Sequence, residues 1–386
     1  MKVLHLLRKN SQLKASFILN QLSNHREYKP LVAFYEDRSK VSDIGFASPE
    51  GTDIEILSLD SKPSFFAILR YKLLKLISRK AKRQLLNLIK EQAPNVIHLH
   101  YGTDAGLYLP LLSKLGLPTI VSFYGYDSYS FPRKFFGLGG FFLRVRVFRH
   151  ADYLLAMTEE MKSDLIKAGC PNEKIIVHYH GVPETLANIE RDYKMGPECN
   201  LMMLSYLDPV KGHLFALKAL NKLVEKGVIN FRLRIYGDGH YRKEIEAKII
   251  ELKLRGMVTL EGSLQYLSKP FLKAFEEADI FLHPSVKTRN DKEGVPGAMV
   301  ESMFSGLPTI ATFHGGIPYV IKNNSTGILV EENDEIALSD AIHKLMMQSV
   351  LRKSLGTRAR EYALKNLVLV KRQEVLESIY NKCLKN

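Results

Sequence analysis

The strongest constraint on the fold comes from two short runs, 280–283 (IFLH) and 309–313 (TIATF), which are largely apolar yet far too short for helices. A run of that length with no polar face reads as a strand buried on both sides, the kind found inside parallel sheets covered by helices. Between the two runs the chain breaks at Pro284-Ser285 into a polar loop. It resumes as a helix over about 296–305 and is stopped by Gly306 and Pro308. The result is a strand, loop, helix and strand in succession, one step of a βαβ series.

The same step recurs from end to end. Runs at 2–7, 31–34, 54–59, 96–99, 120–123, 151–156 and 175–178 read as strands, with helices at 16–22 and 159–168. The run 54–59 alternates with acids, which suits an exposed sheet edge. Pro183, Gly196 and Pro197 mark a break. A second series then follows, with strands at 201–206, 231–236 and 258–261 and helices at 214–226 and 271–277. The expected architecture is α/β with two Rossmann-like βαβ domains. Residues 1–185 form the first, 186–200 a linker and 201–367 the second, with an amphipathic helix over 368–386 crossing back to the first. A length of 386 residues and 46% hydrophobic content suit two domains with sizeable cores.

The charge balance is basic, 55 Lys and Arg against 41 Asp and Glu, and points to an anionic partner. Residues 62–91 hold nine Lys and Arg and a single acid, interleaved with apolar residues at helical spacing; residues 133–149 hold five phenylalanines and no acid. Both patches read as candidates for an anionic membrane surface, each nearby Lys or Arg contributing ~1 kcal/mol. The plainer reading of 62–91 is a domain helix with solvated lysines. Nucleic acid is the less favoured partner, since the basic runs are amphipathic and carry no recognition motif. Cys170, Cys199 and Cys383 have neither metal-like nor disulfide spacing, as expected in a reducing cytoplasm. No run has the length of a signal peptide or a spanning helix. A cytoplasmic protein, peripheral on the inner membrane face, is the expectation.

Ligands of open parallel sheets sit beyond the carboxyl ends of the strands, near helix N-termini with free N–H groups. The loop Glu293-Gly294-Val295-Pro296-Gly297 occupies such a place. Pro296 suits a first helical turn because it has no N–H to leave unpaired, and Gly297 and Ala298 leave theirs open to a phosphate. Glu293 and Glu301 bracket this turn, with seven residues between them. Lys211 precedes the helix at 214–226, where a cation can reach a phosphate. Other strand-end clusters are His100-Tyr101-Gly102, Tyr124-Gly125-Tyr126-Asp127, His180-Gly181 and Gly237-Asp238-Gly239. Asp127 equally suits a turn or cap, and Gly237 a tight turn. One of His98 and His100, alternating on a strand, is free to face the core. No D-x-D, His/Cys metal cluster or G-x-S-x-G appears in the sequence, so no metal or other cofactor is expected.

Taken together, two βαβ halves, E-x7-E at Glu293 and Glu301, Lys211-Gly212-His213, and Gly315-Gly316-Ile317-Pro318 after the next strand resemble family-4 glycosyltransferases of the GT-B fold. The look is closest to the bacterial exopolysaccharide enzymes of colanic acid and amylovoran type, and it extends over nearly the whole chain. The resemblance implies two domains closing over a cleft. It also implies retaining, metal-independent transfer of a hexose-type sugar from a nucleoside diphosphate sugar, a UDP-sugar foremost, to a lipid-linked or oligosaccharide acceptor. It assigns Glu301 to the ribose, Glu293 to the donor sugar and Lys211 to the diphosphate. The N–H groups of Val295, Gly297 and Ala298, with Pro296 in the same turn, cradle that diphosphate, and Ser263 and Leu264 hold the base. Gly237 and Tyr206 complete the donor side, while His100, Tyr124, Lys9 and His180 belong to the sugar and acceptor side. Asp127 joins Glu293 and Lys211 as a catalytic candidate. The chain departs from the family pattern at Tyr206, where an Arg is usual, and at Tyr124, where a His is usual. Lys9-Asn10-Ser11 stands where a Gly-Gly loop is usual. Those departures support one alternative, a non-catalytic nucleotide-sugar or membrane-surface binding subunit. A sugar-nucleotide epimerase is the second alternative, with no carboxylate–histidine pair placed for it.

Overall fold

The computed structural model describes residues 1–36, 55–59, 64–66, 69, 75–288 and 292–385. They form two compact units: Met1–Gly181 with Leu369–Asn386, and Val182–Val368.

The first unit is built on seven parallel strands: β1 (Lys2–Lys9), β2 (Lys29–Glu36), β3 (Glu55–Ser58), β4 (Val96–His100), β5 (Thr119–Ser122), β6 (Tyr153–Ala156) and β7 (Ile175–Val177). Their order is β3-β2-β1-β4-β5-β6-β7. Val3, Leu4, Leu6, Val96, Ile97, Leu99, Ile120 and Val121 are fully buried, which is why these strands lack a polar face. β3 takes the edge, as its alternating acids predict. The terminal helix Leu369–Cys383 belongs to this unit and packs Leu376, Ile379 and Tyr380 on Val3, Val96, Ile120 and Leu155. Each such buried aliphatic side chain contributes roughly 1.5–3 kcal/mol.

The second unit holds six parallel strands: β8 (Cys199–Leu204), β9 (Phe231–Tyr236), β10 (Val258–Gly262), β11 (Ile280–His283), β12 (Thr309–Thr312) and β13 (Ile328–Val330). Their order is β10-β9-β8-β11-β12-β13. Each sheet therefore reverses its winding once, between β1 and β4 and between β8 and β11. At such a reversal two loops diverge from neighbouring strand ends and leave room for a ligand.

Three segments bear on the sequence reading. Residues 186–200 are not a free linker but part of the second unit. The Arg191 guanidinium donates to the carbonyls of Ser305 at 2.8 Å and Ala278 at 2.7 Å and also to that of Phe275, while the Tyr193 hydroxyl donates to the Gly306 carbonyl at 3.0 Å. These are carbonyls at helix C-termini, which lack intrahelical partners and attract cations. The second half of 62–91 is a core helix, Arg79–Gln92, with Ala81, Leu85, Leu88 and Ile89 buried and the Ser78 hydroxyl capping its N-terminus. Much of the first half lies outside the described residues, but Phe65, Phe66 and Leu69 are exposed. Within 133–149, Leu143, Val147 and Phe148 face the core and Phe136, Leu138 and Phe141 face outward. Among the described residues no helix is long and apolar enough to cross a membrane.

The two loops at the β8/β11 reversal touch at Gly212. Its φ is +70°, and a Cβ built there would lie 1.7 Å from the Pro284 carbonyl oxygen. An alanine would have to adopt a left-handed conformation and push β11's exit loop away. Gly212→Ala is therefore expected to lower stability by at least about 2 kcal/mol, read as a shift in the urea midpoint.

Candidate active site

In the second unit the site grows from the carboxyl ends of β8 and β11. After β8, the Asp208 carboxylate accepts from the Val210 N–H at 3.1 Å and starts the short turn Pro209–Lys211. Gly212 then opens the helix His213–Glu225. This turn aims Lys211 at Glu293: the ammonium pairs with Oε1 and lies 3.0 Å from Oε2. The pair is largely out of water, the side chains being 20% and 9% exposed. Burial alone would raise the Glu293 carboxyl, but the Lys211 ammonium and His283, 3.7 Å away, outweigh it and hold the group well below the usual carboxylate range.

The backbone of Glu293 is fixed as well. Its N–H donates to His314 Nε2 at 3.0 Å, and His314 Nδ1 lies 2.7 Å from Glu332 Oε1. An imidazole that accepts on Nε2 must carry its proton on Nδ1, so Glu332 sets the tautomer that positions Glu293. The Gly316 N–H donates to the Glu293 carbonyl at 3.3 Å, and a Cβ on Gly315 would come within 2.3 Å of that carbonyl oxygen. The Gly-Gly pair is thus a seat for the Glu293 loop.

The helix Gly297–Phe304 starts one residue later than the sequence suggests, because Pro296 takes the extended N-cap conformation. Among the described residues no side-chain hydrogen bond caps this end. Val295 and Pro296 are buried, Gly297 and Ala298 half-buried, and a Cβ on Gly297 would meet nothing within 4 Å. Glu301 is only 4% exposed. Burial pushes its carboxyl up to about 7, with a hydrogen bond from Tyr266 opposing. Gly237 and Ser263 follow the ends of β9 and β10. A Cβ on Gly237 would lie 1.8 Å from the Ser205 carbonyl oxygen, and the Gly237 N–H donates to the Gly262 carbonyl at 2.8 Å. Ser263 is exposed and Leu264 half-buried, while Tyr206 is 59% exposed.

In the first unit, both His98 and His100 are buried, so neither points outward from the strand. His100 Nδ1 lies 2.7 Å from the Tyr124 hydroxyl. Asp127 is fully buried and accepts backbone N–H groups from Gly102 at 2.7 Å, Tyr124 at 3.0 Å and Gly125 at 3.2 Å. Both its oxygens are committed to holding two strand-end loops together. This is the turn-and-cap role, and it removes Asp127 from the proton-transfer candidates. Burial raises its carboxyl to about 6, with those amides and its own N–H opposing. Tyr101, between the two loops, has φ 66°, a conformation unfavourable for a side chain of its size. Lys9 ends β1, its N–H donating to Gln12 Oε1 at 2.8 Å. His180 is buried against Phe17, and burial, with Arg372 nearby, lowers its imidazole to about 3.

Sequence reasoning did not reach His283, His314, Glu332 and Tyr266. His283 ends the strand whose exit loop carries Glu293, whereas His314, Glu332 and Tyr266 follow other strands, and only the 314–316 cluster, directly after β12, carried a positional hint.

Residues 47–186 match the family model described as Glycosyltransferase Family 4, and residues 195–362 the one described as Glycosyl transferases group 1. The chain belongs to the family-4 glycosyltransferases. It is 33% identical to WcaL of Escherichia coli K12, named for colanic acid biosynthesis, over 51% of this chain and 48% of that protein. To the amylovoran biosynthesis glycosyltransferase AmsK of Erwinia amylovora it is 30% identical, over 61% of this chain and 58% of that protein. The matches thus span about half the length of these relatives. Anabaena HepE, solved in complex with UDP and glucose, superimposes with a TM-score of 0.78 at 16% identity, covering 99% of both chains. That likeness shows the GT-B fold of this family-4 chain.

Glu301 makes a pH-dependent contribution with a definite sign. A carboxyl raised from 4.5 to about 7 by folding leaves stability intact at low pH. That stability falls as the pH rises from about 4.5 to about 7, by up to about 3 kcal/mol, and is level above it. Urea unfolding at a pH near 4.5 and at a mildly alkaline pH is expected to show this loss in the wild type and a smaller one in Glu301→Gln.

Proposed function

We propose that this chain is a retaining, metal-independent hexosyltransferase. It takes a hexose-type sugar from a nucleoside diphosphate sugar, a UDP-sugar, and transfers it to a lipid-linked or saccharide acceptor in cell-surface polysaccharide synthesis. The observation that carries the reading is the largely buried pair of Lys211, on the turn after β8, and Glu293, on the loop that enters the helix Gly297–Phe304. A cation already largely out of water and held by a single carboxylate can be handed to a diphosphate at a reduced desolvation cost. Once Lys211 moves to the phosphates, Glu293 is released to accept from hydroxyls of the donor sugar.

The chemistry then needs few parts. The bond between the anomeric carbon and the diphosphate oxygen breaks, and the acceptor oxygen bonds to that carbon on the same face. The acceptor's proton passes to the departing diphosphate. Lys211 and the N–H groups of Val295, Gly297 and Ala298 offset the charge that develops on the leaving group, preorganised donors being the largest single term in such catalysis. Glu301 accepts from the ribose hydroxyls, and backbone at Ser263 and Leu264, with Gly237 and Tyr206 nearby on the strand-end loops, takes the base. His100, Tyr124, Lys9 and His180 serve the sugar and acceptor side. A cytoplasmic, membrane-peripheral location fits the acceptor class. Phe65, Phe66, Phe136, Leu138 and Phe141 are exposed, and Arg133, Arg144 and Arg149 are exposed along the same stretch as the last three.

Thermal shift against a panel of UDP- and GDP-sugars tests the donor. A ligand at a hundred times its Kd is expected to stabilise the protein by ~2.7 kcal/mol. Binding with no transfer or hydrolysis would instead identify a non-catalytic binding subunit. In Lys211→Ala, whose own melting point must be read first because Glu293 loses its cation, the donor-induced shift should vanish and kcat fall by about 10²–10³-fold. Sedimentation with anionic vesicles is expected to show binding that weakens with salt and is lost on replacing Phe136 and Phe141 by serine. Salt-independent binding, or none, refutes the membrane surface.

A further inference from the structure

Behind Tyr124 an unbroken line of five side chains runs through the first unit. The Tyr124 hydroxyl lies 2.7 Å from His100 Nδ1, His100 Nε2 2.9 Å from His5 Nδ1, His5 Nε2 3.0 Å from His25 Nε2, and His25 Nδ1 3.0 Å from Glu377 Oε1. Every contact between two ring nitrogens needs one N–H and one lone pair, and a neutral imidazole has one of each. Fixing one end therefore fixes the whole line. Glu377 is the acceptor-only end, so His25 carries its proton on Nδ1, His5 and His100 on Nε2, and the Tyr124 hydroxyl gives its proton to His100.

We propose that Glu377, on the terminal helix, is a positioning residue for Tyr124. Acting through neutral His25, His5 and His100, it commits the tyrosine's only proton inward and leaves the phenolic oxygen as an acceptor for a sugar hydroxyl. The ligand half of this statement rests on the glycosyltransferase reading; the polarity of the line does not.

The opposite polarity would require His25 doubly protonated, with Tyr124 turned into a donor. Two observations oppose it. The Glu377 carboxylate already accepts the N–H groups of Arg26 at 2.9 Å and Glu27 at 3.3 Å, so it does not depend on a cation. A cationic His25 would stand with its side chain 1% exposed beside His5, itself fully buried, where desolvation is costly. Burial, and then the neighbouring imidazoles, hold His5 and His98 well below the ordinary histidine value, and His100 is lowered to about 3. The Gln373 amide nitrogen is placed 2.9 Å from His25 Nδ1, and its oxygen lacks a partner. Rotating the amide by half a turn brings that oxygen to the Nδ1 proton, consistent with the same tautomer.

A parallel branch from the terminal helix, Tyr380 hydroxyl to His98 Nδ1 at 2.6 Å and His98 Nε2 to Ser122 Oγ at 2.7 Å, ends in hydroxyls on both sides and cannot set a direction. His5, His98 and His100 have ring nitrogens close enough together to suggest a metal. All six of those nitrogens are already engaged in the contacts above, and an ion would have to break several of them.

The test is a long-range proton–nitrogen correlation spectrum of the full chain, labelled with nitrogen-15, at neutral pH, with each histidine assigned by single substitution. The expected result is Nδ1–H at His25 and Nε2–H at His5 and His100. Nδ1–H at His5 and His100, with His25 protonated on both nitrogens, overturns the proposal. So does displacement of the His5, His98 and His100 signals on adding zinc chloride. Glu377→Leu should give mixed tautomers at His5 and His100, and Glu377→Asp should restore single ones. For the ligand half, UDP-glucose and UDP are compared by calorimetry. Tyr124→Phe and Glu377→Leu are each expected to weaken UDP-glucose about tenfold and leave UDP unchanged, the scale of one lost hydrogen bond. Unchanged UDP-glucose affinity in both variants overturns that half. If neither ligand binds the wild type, the glycosyltransferase reading fails while the tautomers remain measurable.

Discussion

The second unit depends on a contact that has room for no side chain. Gly212 meets the Pro284 carbonyl where the sheet reverses its winding, between β8 and β11. Parallel strands exit on the same edge, so the loops after β8 and β11 emerge side by side, and only a glycine lets them close. Lys211 immediately precedes that contact. The loop after β11 leads, through residues beyond 288 that rejoin the description at 292, to Glu293. The charged pair is therefore a product of topology: two positions far apart in sequence come together because a reversal of winding brings their strand ends to one place.

Pairing Lys211 with Glu293 also settles what kind of group each is before any ligand arrives. An isolated buried carboxylate would rise in pKa, as Glu301 does, and an isolated buried lysine would fall. Glu293 does the reverse of Glu301 because a cation is in contact with it, although both glutamates are buried and belong to one motif. The motif thus contains two carboxylates in different states, one held ionised and one poised near neutrality. A single hydroxyl-rich ligand could meet both, but only Glu301 would have to change its protonation to do so. The arrangement behind Glu293, with His314 held by Glu332, keeps the ionised member still.

Much of the fold was legible because burial on both faces leaves a plain signal: the runs at 96–99, 120–123 and 280–283 are strands within a residue or so of where the periodicity puts them. What the sequence placed at the candidate site is position: Lys211 and Glu293 lie on the loops after β8 and β11, and Gly315-Gly316 shortly after β12. What failed was non-local. Residues 186–200 carry every compositional mark of a linker, and Arg191 overrides them by reaching three carbonyls at the ends of helices far along the chain. For 62–91 the sequence left a surface helix and a domain helix both open, since helix periodicity does not say which partner covers the apolar face; Leu85 and Leu88 of Arg79–Gln92 are core. Asp127 looked like a catalytic acid because nothing in a sequence reveals that three amides from two loops converge on one carboxylate.

The histidines of the first unit are the extreme case of that non-locality. His5, His25, His100 and Glu377 come from β1, the segment after the first helix, β4 and the terminal helix, and no spacing rule links them. Register does: His5 pairs with His98 across β1 and β4, which sets consecutive imidazoles of two strands on one face. A row of buried imidazoles with no carboxylate would have two equivalent proton arrangements and no reason to prefer one. Adding one acceptor-only group at the end breaks that symmetry for the whole row, at the cost of a single buried charge already shared with two backbone amides. The terminal helix therefore contributes more than apolar cover to this unit, because the residue that gives the row its direction is carried on it rather than on any strand.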